Sequence, residues 1–270
     1  MLIKTGANEG TIGNVRYMEG VVALNRVKLN VYCYEVDGML IDTGAPRLLS
    51  EFKSFFDKVR ADKVVLTHSH EDHVGGVAYI KRKYNLPIYM DKIGIEDSMK
   101  KANYPFYRKV FWGKREPFQA LPLEKTIESR NATWDVIQTP GHAPDHVSLL
   151  NRKTGQLFTG DLFVQPQTKI ILKDESIPTI ISSIRRVLGY DFGELYCCHA
   201  GHVKSGRSVL QSKLDYLLEL QEKIRELSRK GYSEKEIQKQ LFDGRYSISY
   251  ISFGEWDSIH IIRSVLRETP

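Results

Sequence analysis

Between residues 68 and 73 the chain reads His-Ser-His-Glu-Asp-His, three imidazoles and two carboxylates within six positions. Imidazole and carboxylate together form the ligand set that suits zinc, iron or manganese. The cluster follows a short apolar run, Lys63-Val64-Val65-Leu66, and a strand ending in a tight turn splays such side chains around one point. Gly75-Gly76 then lets the backbone turn closely into the next helix. A satisfied surface cluster of histidines is the competing reading, and the rest of the chain argues against it because the pattern recurs. His142 follows Thr139-Pro140-Gly141, Asp161 follows Phe158-Thr159-Gly160, and His199 ends the run Leu195-Tyr196-Cys197-Cys198. Each is a metal-ligand type at a strand-to-loop junction.

The surrounding pattern predicts helices packed on sheets. Residues 11–42 read as short strands, with Asp37-Gly38 as a tight hairpin turn. Leu48, Phe52, Phe55, Phe56 and Val59 share one face of a helix over 47–60. A buried strand at 63–66, a helix over 74–84 and a strand at 87–90 complete a βαβ alternation. The stretch 103–123 reads as loop or lid. Strands return over 125–160, then come a helix over 178–188 and a strand at 194–198. Beyond Gly206 the residues Leu210, Leu214, Leu217, Leu218, Ile224 and Leu227 follow a helical period. Ser233 and Glu236 form a capping box, and a third helix is expected over 256–267. The expected layout is a strand-rich domain over 1–206 and a helical C-terminal extension over 207–270.

Composition excludes several classes. With 41% hydrophobic residues in 270, the chain is not mainly disordered and has material for a sizeable core. No run of about 18 apolar residues exists, which excludes a membrane-spanning helix. The N-terminus lacks a basic start followed by an apolar stretch, so no signal peptide is expected. Cys33, Cys197 and Cys198 are too few for a disulfide scaffold, and a reduced, cytoplasmic setting is expected. The net charge of +6 is concentrated in residues 81–115, where ten Lys and Arg face Asp91, Glu96 and Asp97. Tyr84, Tyr89, Tyr104, Phe106, Tyr107, Phe111 and Trp112 are interleaved with them. Such a segment serves as a solvated surface with its aromatics inward, as a lid over an anionic small molecule, or as a nucleic-acid contact. No Gly-rich phosphate loop or nucleotide fingerprint is present, so no organic cofactor is expected.

With these motifs the chain resembles the metallo-β-lactamase fold superfamily. His68, His70, Asp72 and His73 fit its histidine-x-histidine-x-aspartate-histidine signature. Thr139-Pro140-Gly141-His142 fits the later histidine motif, Thr159-Gly160-Asp161 the bridging aspartate, and Leu40-Ile41-Asp42-Thr43-Gly44 the early strand-end motif. The order and spacing agree across residues 20–206. The resemblance implies an α/β fold, a four-layer αββα sandwich with two metal ions at the edge between the central sheets. It implies His68, His70 and His142 on one metal, Asp72, His73 and His199 on the other, and Asp161 bridging. His199 is preferred to His202 because relatives carry a glycine about seven residues on, and Gly206 lies there. Asp42 is expected to orient a ligand by hydrogen bonding, His146 to be structural or to support a ligand, and His260, Cys197 and Cys198 to be ordinary core or surface residues.

The implied chemistry is hydrolysis. Two metals about 3.5–4 Å apart can share a hydroxide whose pKa falls toward 7, and that hydroxide attacks a carbonyl or phosphoryl centre. Asp72 is the catalytic candidate for handling its proton. Zinc is expected ahead of iron or manganese, at two divalent ions per chain. Within the superfamily the flavodiiron type carries a glutamate in place of His70, and the nucleases with a large inserted domain do not fit between Asp161 and His199. The glyoxalase II and acyl-homoserine lactonase groups stay close. The expectation is a metallo-hydrolase of a small, anionic ester, thioester or lactone. A metal-dependent ribonuclease and a mononuclear iron oxygenase like the persulfide dioxygenases are the alternatives. Nucleic acid is the less favoured partner, and no membrane partner is expected.

Overall fold

The computed structural model describes residues 3–242, 244 and 246–267. Met1 and Leu2, part of the N-terminus read above for a signal peptide, lie outside the described residues, as do the last three positions of the C-terminal extension. Two sheets stack face to face. The first has seven strands in sequence order: Ile3–Ile12, Val15–Leu24, Val27–Val36, Met39–Ile41, Lys63–Val65, Ile88–Met90 and Leu121–Pro122. Its first four strands are joined antiparallel and its last four run parallel. The second sheet has six strands, in the spatial order Gly201–Val203, Glu194–Cys197, Gln156–Gly160, Val147–Asn151, Thr133–Gln138 and Thr126–Glu128.

Between the sheets Val15, Tyr34, Val36, Met39, Ile41 and Val65 meet Trp134, Val147, Leu149, Phe158 and Tyr196 in one buried cluster. The strands feeding it are rich in β-branched and aromatic residues, which fit a pleated surface buried on both faces. The outer face of the first sheet is covered by helices Leu49–Val59 and Val77–Tyr84 through Phe52, Phe55, Val77 and Ile80. The outer face of the second is covered by helices Ile177–Leu188, Gly206–Arg229, Glu234–Leu241 and Ile259–Arg267. The order is helix, sheet, sheet, helix, the expected four-layer sandwich.

The Asp37-Gly38 hairpin forms as expected, with φ of 51° and 80°, the paired positive values that suit the right-handed twist of the flanking strands. The Ser233 capping box is present and opens helix Glu234–Leu241. Three features differ from expectation. The N-terminal strands start at Ile3 and run ten residues each, longer than read. The stretch 103–123 carries helix Phe106–Phe111 rather than loop alone, and helix Lys92–Ser98, which the sequence reading did not assign, precedes it, capped by the Asp91 side chain accepting from the Ile93 amide. The last helix starts at Ile259, because Trp256–Asp257 pairs instead with Ile171–Leu172 in a small third sheet. That pairing draws the C-terminal segment over the carboxyl ends of the central strands. Among the described residues no helix is long and apolar enough to cross a membrane.

Candidate metal centre

Five strand ends converge on one edge of the sandwich. Met39–Ile41 delivers Asp42, Lys63–Val65 leads to His68, Thr133–Gln138 to His142, Gln156–Gly160 to Asp161, and Glu194–Cys197 to His199. His70 and the one-turn helix Glu71–Val74 supply the rest. Gly75 is required there by close packing: a Cβ would lie 2.2 Å from the Pro46 nitrogen. The Gly75 amide donates to the Gly44 carbonyl at 2.8 Å, which pins the turn against the Asp42 loop.

The structure brings all seven expected residues together. His68, His70 and His142 place ligand atoms within 4.8 Å of one another, and Asp72, His73 and His199 do the same. A third group, His68, His73 and Asp161, overlaps both. Asp161 Oδ2 lies 2.9 Å from His199 Nε2 and 3.3 Å from His142 Nε2, and Asp161 Oδ1 lies 3.4 Å from His73 Nε2. Asp72 Oδ2 stands 3.5 Å from His199 Nε2.

Hydrogen bonds behind the rings fix which nitrogen faces inward. His73 Nδ1 donates to Asp42 Oδ2 at 2.9 Å. His142 Nδ1 faces Glu175 Oε2 at 3.2 Å, and His199 Nδ1 donates to the Asn30 carbonyl at 2.5 Å. Thr67 Oγ1 donates to Asp42 Oδ2 at 2.8 Å, which leaves its oxygen to accept from His68 Nδ1 at 3.1 Å. Four rings therefore present Nε2 to the centre, the arrangement in which an outer partner sets the orientation of a ligating imidazole. His70 differs, presenting Nδ1 at 3.0 Å from His142 Nε2.

Three inward atoms, His68 Nε2, His73 Nε2 and Asp161 Oδ1, are buried without a hydrogen-bond partner. Such orphans are costly in a native interior, and a cation among them would satisfy all three. The donor set of imidazole and carboxylate fits a divalent metal. Burial and the neighbouring rings push the His68 pKa well down, and burial with Arg108 does the same for His70. Burial works against charge on His73 and His199, yet Asp161 outweighs it, lifting His73 well up and His199 to about 9. Burial likewise opposes ionisation of Asp161, yet His199 and His73 hold its carboxyl well below the usual range. Ligation needs a neutral imidazole, so metal binding here competes with protons on His73 and His199.

The other histidines sort clearly. His146 Nε2 accepts the Asp161 amide at 3.0 Å and its Nδ1 bonds Thr139 Oγ1 at 2.8 Å, so it supports the Asp161 turn. His202 stacks on Tyr196 and faces Glu194. His260 Nε2 bonds the Gly254 carbonyl at 2.8 Å. Cys198 is more than a filler: its thiol donates to Asp42 Oδ2 at 2.9 Å.

A cavity of about 430 Å³ opens over the centre. His70, Asp72, His142, Asp161 and His199 line it, and Phe111, Trp112, Ile171, Leu172, Ile248 and Trp256 form much of its apolar wall. The basic segment 81–115 turns few of its cations toward the cavity. Of its ten Lys and Arg only Arg108 reaches the cavity, in a two-pronged ion pair with buried Glu71 at 2.7 Å on each arm. Arg82, Lys83 and Lys100 are paired outward with Glu116, Asp57 and Glu96. The segment's aromatics, not its cations, shape the wall; Tyr104 stays behind it, bonded to the Gly113 carbonyl. Sequence reasoning missed Thr67, Glu175 and Lys213. Only Lys213 left a signal, as a charge on the leucine stripe of its helix.

The sequence model of the metallo-beta-lactamase superfamily matches residues 27–199. A beta-lactamase-like protein 2 homolog of Caenorhabditis elegans is 26% identical over 208 residues, 74% of this chain and 63% of that protein. The chain thus spans less than two thirds of that relative. The probable metallo-hydrolase YqjP of Bacillus subtilis is 26% identical over 262 residues, 80% of this chain and 81% of that protein. The atrochrysone carboxyl ACP thioesterase of Aspergillus fumigatus is 29% identical over 195 residues, 71% of this chain and 40% of that protein. Among solved structures, a metallo-beta-lactamase from Pontibacter korlensis superposes with a TM-score of 0.60 at 18% identity, over 79% of this chain and 99% of its own. TTHA1623, crystallised in a di-iron-bound form, superposes with a TM-score of 0.53 at 22% identity, over 74% of this chain and 96% of its own. The model covers more than half of the 270 residues, and the same stretch carries the convergent histidines and aspartates at the sheet edge, so the chain belongs to the metallo-beta-lactamase superfamily.

Proposed function

We propose that the chain is a metal-dependent hydrolase with a two-metal centre, acting on small esters, thioesters or lactones that carry an apolar acyl group. His68, His70 and His142 would hold one ion, Asp72, His73 and His199 the other, and Asp161 both. The observation that carries this reading is the convergence of seven ligand-type side chains, three of them with orphaned inward atoms, on the floor of a cavity walled by apolar residues. When bound, metals at such a pair act as Lewis acids that activate water and polarise a carbonyl. The chain's residues do the rest. The aromatic wall holds the acyl chain and keeps bulk water away from the carbonyl. The Asp72 carboxylate takes a proton from the attacking water and returns it to the departing alkoxide or thiolate, so that ester and water become acid and alcohol or thiol. The YqjP and thioesterase likenesses agree with hydrolysis, and zinc is the metal we favour.

The cavity's size fits one small molecule. Among the described residues its wall offers no row of free cations for a phosphate backbone, so acyl transfer to water is favoured over RNA cleavage. The test is a panel of aryl esters, thioesters and lactones of increasing acyl length, beside a single-stranded RNA, with and without chelator. Chelator-sensitive acyl hydrolysis that quickens from two toward about eight acyl carbons is expected, since each buried methylene contributes about 0.8 kcal/mol. Metal-dependent RNA cleavage with no acyl turnover would overturn the reading.

A further inference from the structure

A lysine stands where the long C-terminal helix should be apolar. Leu210, Leu214, Leu217, Leu220 and Ile224 line the buried face of Gly206–Arg229, and Lys213 lies among them at 4% exposure. Among the described residues no carboxylate pairs with it within ion-pair distance. Its Nζ donates instead to two consecutive main-chain carbonyls, Leu162 at 2.9 Å and Phe163 at 2.5 Å. Burial pushes its pKa down to about 8, a measure of how poorly the site solvates the cation.

Those two carbonyls belong to the turn that carries Asp161, which begins at a glycine and ends at a strained valine. Gly160 sits at φ 49°, where a Cβ would come within 2.6 Å of His146 Nε2. Val164 sits at φ 51°, a value that a β-branched residue adopts only when its surroundings impose it. Two backbone bonds, from the Leu162 amide to the Thr159 carbonyl at 3.0 Å and from the Gln165 amide to the Phe163 carbonyl at 2.6 Å, shape the turn, and three side-chain contacts hold it. The Asp161 amide donates to His146, the Val164 amide to Cys197 Sγ at 3.3 Å, and Lys213 holds the carbonyls between them. An ammonium with three donors can bond both adjacent carbonyls at once, and it adds to the Gln165 amide that the Phe163 carbonyl already accepts at 2.6 Å.

We infer that Lys213 is a positioning residue: by clamping the Leu162 and Phe163 carbonyls it holds the strained turn that aims Asp161 between the two ligand triads. This rests on the reading of Asp161 as a metal ligand. It assigns part of the metal centre to a helix beyond the residues shared with the family, 27–199.

Lys213→Met keeps the length of the side chain and removes the ammonium. Metal affinity, measured by competition with a chromophoric chelator, is expected to fall 10- to 100-fold, as when an outer partner of a ligand is lost. The Tm of the metal-free protein should fall modestly, because the buried Leu162 carbonyl loses its donor while a poorly solvated charge is also removed. kcat should fall with metal occupancy while KM stays. Lys213→Arg, which keeps a cation but shifts its donors, should lose less affinity than Lys213→Met, and it carries the test alone if the Met variant does not fold. Unchanged metal affinity with a lowered metal-free Tm would overturn the inference in favour of a packing role. Unchanged affinity with a raised KM would overturn it in favour of a substrate contact. A wild-type protein that takes up no metal would instead overturn the reading of the site on which the inference rests.

Discussion

Asp42 accepts four hydrogen bonds while its own backbone sits at φ 57°, in the left-handed region. The donors are the Thr67 amide, the Thr67 hydroxyl, His73 Nδ1 and the Cys198 thiol. One fully buried carboxylate thus ties three strand ends together and sets the tautomer of His73. Asp42→Ala would leave those donors buried and unpaired. A loss of about 2–4 kcal/mol in stability is expected by denaturant unfolding, together with a 10- to 100-fold weaker hold on metal. Unchanged metal affinity in this variant would show that His73 needs no such partner. The ligand-type residues were legible because their chemistry admits few residue types, so three histidines beside an aspartate could not be mistaken for packing. Their supports were less so. Thr67 looks like any strand-end threonine, and His199 leans on the Asn30 carbonyl, which every residue type possesses.

At the scale of elements, the turns explain how two sheets keep one register. Asp37 accepts from the Asn131 amide at 2.7 Å, the Asn131 side chain at 2.6 Å and Ser129 Oγ at 2.6 Å. The Asp37-Gly38 hairpin of the first sheet is thereby tied to the turn between Thr126–Glu128 and Thr133–Gln138 of the second. Burial alone would raise the Asp37 pKa, but the Ser129 and Asn131 donors outweigh it and hold it below the ordinary value. A depressed carboxyl contributes stability that is present above the unfolded value of about 3.9 and is lost as pH falls through the folded one. Asp37→Ala should therefore cost about 1–2 kcal/mol near neutral pH and nearly nothing at the acid end, a convergence that urea unfolding against pH can measure. An equal cost at every pH would contradict the account. The hairpin itself was readable, because Asp-Gly suits two positive φ values. The helix Lys92–Ser98 and the pairing of Ile171–Leu172 with Trp256–Asp257 were not. The first is too short to show a period, and the second joins residues about 85 positions apart with no local signal.

For the molecule as a whole, the four layers place function at one edge and stability elsewhere. The sheets supply ligands from their carboxyl ends, and Tyr107, Phe111 and Trp112 with the C-terminal residues Ile248 and Trp256 close the cavity. The leucine stripe read in the sequence packs in one cluster with Leu150, Leu157 and Leu195 of the second sheet, which buries its apolar face. The charge excess of 81–115 was legible as a number but not as a direction: most of its cations point away from the cavity, and charge count carries no orientation. We propose that this edge is a two-metal centre. Elemental analysis of the full-length protein after reconstitution tests it most directly, with His70→Ala and Asp161→Ala beside the wild type. About two divalent ions per folded chain are expected, with fewer in His70→Ala and the greater loss in Asp161→Ala, whose carboxylate serves both triads. A folded wild-type chain that retains no metal would contradict the account.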